Sequence, residues 1–291
     1  MAGNPAGNCR DFDHSPEKLK ATLINTFRLQ EFRVNQLEAI NATISKENVF
    51  VVGGNGAGKS LCYQLPACLS AGVTVVISPL ISLIQDQIQI LTELGIKAWT
   101  PADDQGYSDA ESIYEQLLEI KLLYVTPEKM SMSRPLIEAL QDLFDNGLLA
   151  RFVIDEAHCI SQWGCEFRPA YGKLNELQQD FPGVPTIALS GPIGPLIQED
   201  ILNQLQMTKP QVFTMSLNRT NLKYAVKTRT LDGGTDCITW IKEHYPRMSV
   251  HMFLRSSQTK RKTSKYHMFS IFHNNAQHTA DIFSPGFESC R

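Results

Sequence analysis

Residues 49–60, VFVVGGNGAGKS, decide how the rest of the chain is read. An apolar, β-branched run leads into a glycine-rich turn, and Lys59-Ser60 open a helical pattern. Gly53, Gly58, Lys59 and Ser60 fit G-x-x-x-x-G-K-[ST], the phosphate-cradling P-loop. The chemistry explains the residue types. A triphosphate carries dense negative charge, so the loop must turn its backbone N–H groups inward. Glycines permit the φ values and the close approach that this needs. The following helix points its positive end at the phosphates. Lys59 is placed to reach the β/γ-phosphates, and the Ser60 hydroxyl to join a Mg²⁺ shell. Gly54, Asn55, Gly56 and Ala57 complete the expected cradle.

Working outward, strand and helix signals alternate. Ser15-Pro16-Glu17 reads as a helix start, continued by Leu19, Leu23, Ile24 and Phe27 at helical spacing. A second helical pattern covers Val34–Ile44, and a third Leu61–Leu69. Strands are expected at 73–79, 96–100, 121–128, 150–158, 186–191 and 211–217. Helices are expected at 80–94, 109–119, 135–145 and 195–205. Most strands are continuous β-branched runs without polar alternation, as strands buried on both faces are. The pattern predicts an α/β fold: a P-loop parallel sheet sandwiched by helices, with ligands at the carboxyl ends of the strands.

VIDEAH (153–158) is the second chemical centre. Apolar residues precede Asp155, so the carboxylates emerge at a strand end, where the P-loop also emerges. Asp155 is placed to hold Mg²⁺ through water, and Glu156 to orient and deprotonate the attacking water. His158 reads in two ways, as a link between the nucleotide site and later motifs or as a hydrogen-bonded core histidine.

Composition bounds the classes. The chain has 291 residues, 43% hydrophobic and 20% charged, which suits a packed globular core. No apolar run approaches the ~20 residues needed to span a bilayer, and MAGNPAGNCRDFDHSPEK is not a secretory signal. Seven scattered cysteines, without a C-x-x-C pair, read as reduced thiols, so neither a disulfide framework nor zinc is expected. The net charge of −3 does not advertise nucleic-acid binding, although acidic surface can hide a local basic patch.

Several stretches together resemble the first motor domain of a RecQ-family DNA helicase, in wording that suggests its Bloom syndrome helicase branch. They are FRVNQLEAI (32–40), the P-loop with LCYQLPA (61–67), VTVVISPL (73–80), LLYVTPEK (122–129), FVIDEAHCISQWG (152–164), FRPAY (167–171) and KPQVFTMSLNRTNLKYAV (209–226). The resemblance covers roughly residues 15–245 and implies a RecA-like fold that uses ATP and Mg²⁺. It implies that Gln36 reads the adenine edge with Arg33 nearby, and that Ser78, with Pro79 and Leu80, lies along the DNA backbone. Trp163, Phe167, Arg168 and Tyr171 resemble the aromatic-rich loop that senses single-stranded DNA, although Trp163 and Phe167 can equally be read as core aromatics. Tyr63 and Gln64 are expected to pack the P-loop helix. The implied activity is ATP-dependent 3′-to-5′ unwinding of single-stranded or forked DNA partners, in recombination and repair in the nucleus.

The chain departs from that pattern at named positions. Gly54-Asn55 stands for Pro-Thr, Ile81 for a basic residue, Cys165-Glu166 for His-Asp, Ser190-Gly191-Pro192 for Thr-Ala-Thr, and Arg28 for a glycine. The expected organisation is a flexible 1–14, a RecA-like ATP-binding domain at 15–220, the start of a truncated second motor domain at 221–246, and an irregular basic tail at 247–291. Lys260, Arg261, Lys262 and Lys265 in that tail read as a nuclear-targeting or nucleic-acid patch, or as a solvated charged tail. The competing expectation is a half-motor that binds ATP or DNA without unwinding, or a decayed copy. A protein partner is a possible source of the second lobe.

Overall fold

The computed structural model describes residues 15–101, 109–161 and 168–215, with two short strand segments at 269–271 and 280–282. The chain divides into two units, residues 1–217 and 218–291.

A seven-stranded sheet carries the first unit. Its strands are β1 (Val49–Val52), β2 (Val73–Ile77), β3 (Ala98–Trp99), β4 (Leu122–Val125), β5 (Leu149–Ile154), β6 (Thr186–Ser190) and β7 (Gln211–Thr214). Their order is β3-β4-β2-β5-β6-β1-β7, and every neighbouring pair is parallel. The side chains of β1, β2, β4 and β6 are buried along their whole lengths, as their largely apolar, non-alternating sequences imply. β7 differs. It is an edge strand with Gln211, Val212 and Thr214 exposed, because β1 covers only one of its sides.

Helices cover both faces. On one face, α1 (Pro16–Asn25), α2 (Gln36–Ile44), α3 (Leu61–Leu69) and α4 (Ile81–Glu93) bury Leu19, Leu23, Ile40, Leu65, Ile84 and Leu91 against Val51, Val76, Val153 and Leu189. On the other, α5 (Ala110–Leu118), α7 (Arg134–Asp145) and α9 (Pro195–Gln204) bury Ile113, Leu117, Leu136, Leu140, Leu143 and Ile201 against Phe50, Val75, Phe152 and Ile154. Each such side chain contributes ~1.5–3 kcal/mol of burial. Local signals set the helix starts. Ser15 accepts the Lys18 N–H ahead of Pro16, and Asp109 accepts the Ser112 N–H.

Two short helices complete the order, α6 (Pro127–Met132) and α8 (Leu177–Asp180). The strand expected over 121–128 ends at Val125, where Thr126 accepts the Lys129 N–H and Pro127 opens α6. The strand expected at 150–158 likewise stops at Ile154. In the second unit, β8 (Phe269–Ile271) and β9 (Ala280–Ile282) pair antiparallel, inside the stretch expected to be irregular.

Because the first unit's strands are all parallel, β1, β2, β5 and β6 deliver their carboxyl ends to one edge. Backbone bonds carry the ladder past the strand ends: Gly53 N–H to Ser190 O (3.0 Å), Asp155 N–H to Ile77 O (2.9 Å) and Ser78 N–H to Val125 O (3.0 Å). The P-loop, Ser78, Asp155 and Ser190 are thereby fixed along that edge. Among the described residues, no helix is long and apolar enough to cross a membrane.

Candidate nucleotide site

The P-loop runs from β1 into α3. Gly58 sits at φ +87°, a conformation that favours glycine, and a β-carbon there would lie 2.3 Å from Gln36 Nε2 and displace that amide. Lys59 is buried, and its ammonium donates to Gly53 O at 2.9 Å and Gly54 O at 3.4 Å. Asn55 and Gly56 are exposed, whereas Gly54, Ala57 and Ser60 are half-buried.

The turn before α2 closes over this loop. The Gln36 side chain is buried, accepts the Arg33 N–H through Oε1 (2.6 Å), and donates from Nε2 to Gly58 O (3.0 Å). Arg33 Nη1 donates to Gly56 O. Asn35 adopts a left-handed conformation, φ 64°, and its side chain donates to Thr214 O at the end of β7. Sequence reasoning did not single out Asn35. An Asn immediately before a helical pattern was its available signal, since Asn tolerates left-handed backbone. Arg28, standing where the family carries glycine, is also left-handed at φ 57°.

Asp155 follows β5 directly. Its Oδ1 accepts the Glu156 N–H at 3.0 Å. Burial, with the neighbouring Glu156 charge second, pushes its carboxyl up from 3.8 to about 6, against the opposing pull of the Glu156 N–H, Lys59 and His158. Lys59, far from Asp155 in sequence, thus adds a small opposing pull on its carboxyl. Glu156 has φ 50°, ψ 46°, a left-handed backbone that costs a non-glycine residue roughly 1–2 kcal/mol. This turn redirects the chain into a 3₁₀ segment, Ala157–Ile160. Glu156 Oε2 lies 3.3 Å from His158 Nδ1. The His158 ring is in turn about 4 Å from where a β-carbon on Gly191 would stand. Ser190 itself is fully buried.

The expected DNA-facing residues separate into three groups. Trp163 and Phe167, with the substituted Cys165-Glu166, lie outside the described residues. Arg168 is half-buried and its Nη1 donates to Pro79 O at 2.8 Å, joining the aromatic-rich segment to Ser78-Pro79-Leu80. Ser78 is 2% exposed, so the accessible part of that segment is Leu80 and Ile81, 42% and 61% exposed. Tyr171 is a correction. At 1% exposure it has no face free to stack on a base, and its hydroxyl donates to Asp155 O at 2.9 Å. Tyr171 belongs to a 3₁₀ stretch, Pro169–Glu176, that turns it inward beneath the acidic pair.

The chemical capacity of this edge is plain. Lys59 and the loop N–H groups can neutralise phosphates. Ser60 and Asp155 offer oxygen ligands of the kind Mg²⁺ takes. Glu156 offers a carboxylate beyond them. The donor set fits a magnesium-bound nucleoside triphosphate.

The family model for DEAD/DEAH box helicases matches residues 33–194. The RecQ-like DNA helicase BLM of Xenopus laevis is 54% identical over 241 residues, covering 81% of this chain and 18% of that protein. The ATP-dependent helicase SGS1 of Saccharomyces cerevisiae is 37% identical over 248 residues, covering 83% and 17%. The rat ATP-dependent DNA helicase Q1 is 40% identical over 216 residues, covering 73% and 35%. The chain thus spans between 17% and 35% of the length of these relatives. Among solved structures, the DUF1998 helicase MrfA superposes with a TM-score of 0.64 at 20% identity, covering 84% of this chain and 39% of that one, which is a likeness of fold.

Proposed function

Because this chain belongs to the DEAD/DEAH box helicases, in their RecQ-like branch, we propose that it binds ATP–Mg²⁺ and hydrolyses it in response to single-stranded or forked DNA. The observation that carries the reading is that Gly53–Ser60 and Asp155-Glu156 leave β1 and β5 at the same carboxyl edge of the parallel sheet. In this reading Lys59 holds the β/γ-phosphates, and Ser60 and Asp155 hold Mg²⁺. Glu156 receives the proton of the attacking water, with His158 poised between Glu156 and Gly191. Gln36 and Arg33 face the base. Trp163, Phe167 and Arg168 track DNA, with buried Ser78 behind the exposed Leu80 and Ile81, and Tyr171 supports Asp155 from below.

The activity proposed for the family's full motor is 3′-to-5′ strand separation in recombination and repair in the nucleus. It requires a second lobe, from this polypeptide or from a partner. One observation favours the competing half-motor reading. α4 and the Ser78-Pro79-Leu80 segment before it contain no Lys or Arg, and exposed Ile81 stands where the family places a base. Phosphate contacts dominate nucleic-acid affinity, so a grip without cations here is weak. ATP hydrolysis with and without single-stranded DNA, followed by strand separation on a forked duplex, tests both. DNA-stimulated hydrolysis with unwinding supports the motor, and nucleotide binding without either supports the half-motor.

A further inference from the structure

Asn35 directs its side chain away from its own helix. It stands immediately before α2, where an Asn ordinarily accepts an N–H of the first helical turn, a bond worth ~1 kcal/mol. Asn35 makes no such bond. Its backbone is left-handed, and its Nδ2 donates at 2.6 Å to Thr214 O, 179 residues along the chain. Thr214 is the last residue of β7, and the first unit ends just beyond it, at Leu217. The next residue, Met215, is 2% exposed and donates its N–H to Val52 O at 2.7 Å, at the root of the P-loop. A β-carbon on Gly53 would stand 3.0 Å from the Met215 β-carbon.

Three segments therefore close a ring. The turn at Arg33–Gln36 bonds the P-loop through Arg33 Nη1 to Gly56 O and Gln36 Nε2 to Gly58 O. The root of the P-loop bonds the end of β7 through Val52 O and the Met215 N–H. β7 returns to the turn through Thr214 O and Asn35. Arg33 and Val34 are exposed and Asn35 is half-buried, so hydrogen bonds rather than burial hold the outer part of the turn.

We propose that Asn35 is a positioning residue that couples the nucleotide site to the end of β7. This rests on the nucleotide reading above, in which Arg33, Gln36 and Gly53–Ser60 face the ligand. A nucleotide that needs the turn and the loop in place binds the closed ring. It therefore suppresses opening of the β7 end by the factor 1 + [L]/Kd, about ten-fold when the nucleotide stands at about ten times Kd. Without the Asn35 bond, β7 opens while the turn stays docked, and the nucleotide loses its hold on the strand. The point where the chain leaves the first unit thereby senses whether the site is filled.

The test compares wild type, Asn35→Gly and Asn35→Asp. Glycine keeps the left-handed backbone without strain and removes the side chain. Aspartate keeps the shape and the tolerance for that backbone, but its carboxylate has no proton to donate to Thr214 O. Affinity for N-methylanthraniloyl-ATP with Mg²⁺ is read by fluorescence titration. Amide exchange over 211–215 is read by mass spectrometry, without nucleotide and at about ten times each protein's own Kd. The expected result is exchange slowed about ten-fold by nucleotide in wild type and two-fold or less in both variants, although all three are equally filled. Both variants also bind nucleotide roughly three- to ten-fold more weakly, the range of one hydrogen bond. A purely structural role would speed exchange in the variants with and without nucleotide and leave the nucleotide-induced ratio intact. If that ratio survives in either variant, or if filled wild type shows none, the coupling is overturned and the nucleotide site stands. If wild type binds no nucleotide, the nucleotide reading falls and the coupling with it.

Discussion

Replacing Asp155 by Asn removes a carboxylate that folding holds in an unfavourable place. Its carboxyl rises from 3.8 to about 6, chiefly through burial and then through the Glu156 charge. Two units at ~1.36 kcal/mol each amount to about 3 kcal/mol of stability that the wild type forgoes once the group is ionised. Asn keeps an Oδ1 acceptor for the Glu156 N–H, so that bond survives. For a domain of this size, ~2–4 °C per kcal/mol predicts a melting temperature roughly 5–10 °C higher for Asp155→Asn at pH 8. The sign with pH follows from linkage. Between about 4 and 6 the native state binds more protons than the unfolded state, so wild-type stability rises as pH falls. The gap is therefore full above about pH 7, shrinks through pH 6, and vanishes near pH 4. Added Mg²⁺ and ATP narrow the gap by stabilising the wild type more than the variant. Urea unfolding at a series of pH values, with both proteins, reads this directly. An Asn variant no more stable at pH 8, or a gap that stays constant down to pH 4, would refute the account of Asp155.

Three further outcomes are expected. Arg28→Gly relieves a left-handed backbone and should raise stability by ~0.5–1 kcal/mol in denaturant titration, the relief being partly offset by a freer unfolded chain. Gly58→Ala drives a β-carbon into Gln36 Nε2 and should cost about 1–3 kcal/mol of stability as well as nucleotide affinity, measured by unfolding and by equilibrium binding. Tyr171→Phe should cost ~1 kcal/mol through the lost bond to Asp155 O and leave single-stranded DNA affinity unchanged; a large loss of DNA affinity at unchanged stability would return Tyr171 to the surface.

The parallel sheet and its functional edge were legible in the sequence because local physics writes them there. β1 is an unbroken apolar run, β2 and β6 are interrupted only by Thr74, Thr186 and Ser190, and the residues that follow them, Gly53, Ser78 and Gly191, mark where each strand stops. The strand order was not legible, because nothing local says that β2 lies between β4 and β5. Thr126-Pro127 was absorbed into a strand although it carries a cap and a helix-opening proline. Tyr171 was grouped with the DNA-sensing aromatics by resemblance, whereas a 3₁₀ stretch buries it. The partners of Gln36, Gln64 and Arg168 were not legible, because the carbonyl and side-chain atoms they bond come from distant segments. The glycine replaced by Arg28 was visible as a departure, and its left-handed φ gives the departure a physical cost.

The most direct test of the central claim is ATP hydrolysis by the purified chain, with and without single-stranded DNA, beside Glu156→Gln. The account predicts Mg²⁺-dependent hydrolysis that DNA stimulates and that the variant lacks while still binding ATP. Hydrolysis that persists in Glu156→Gln, or an absence of ATP binding in the wild type, would contradict it.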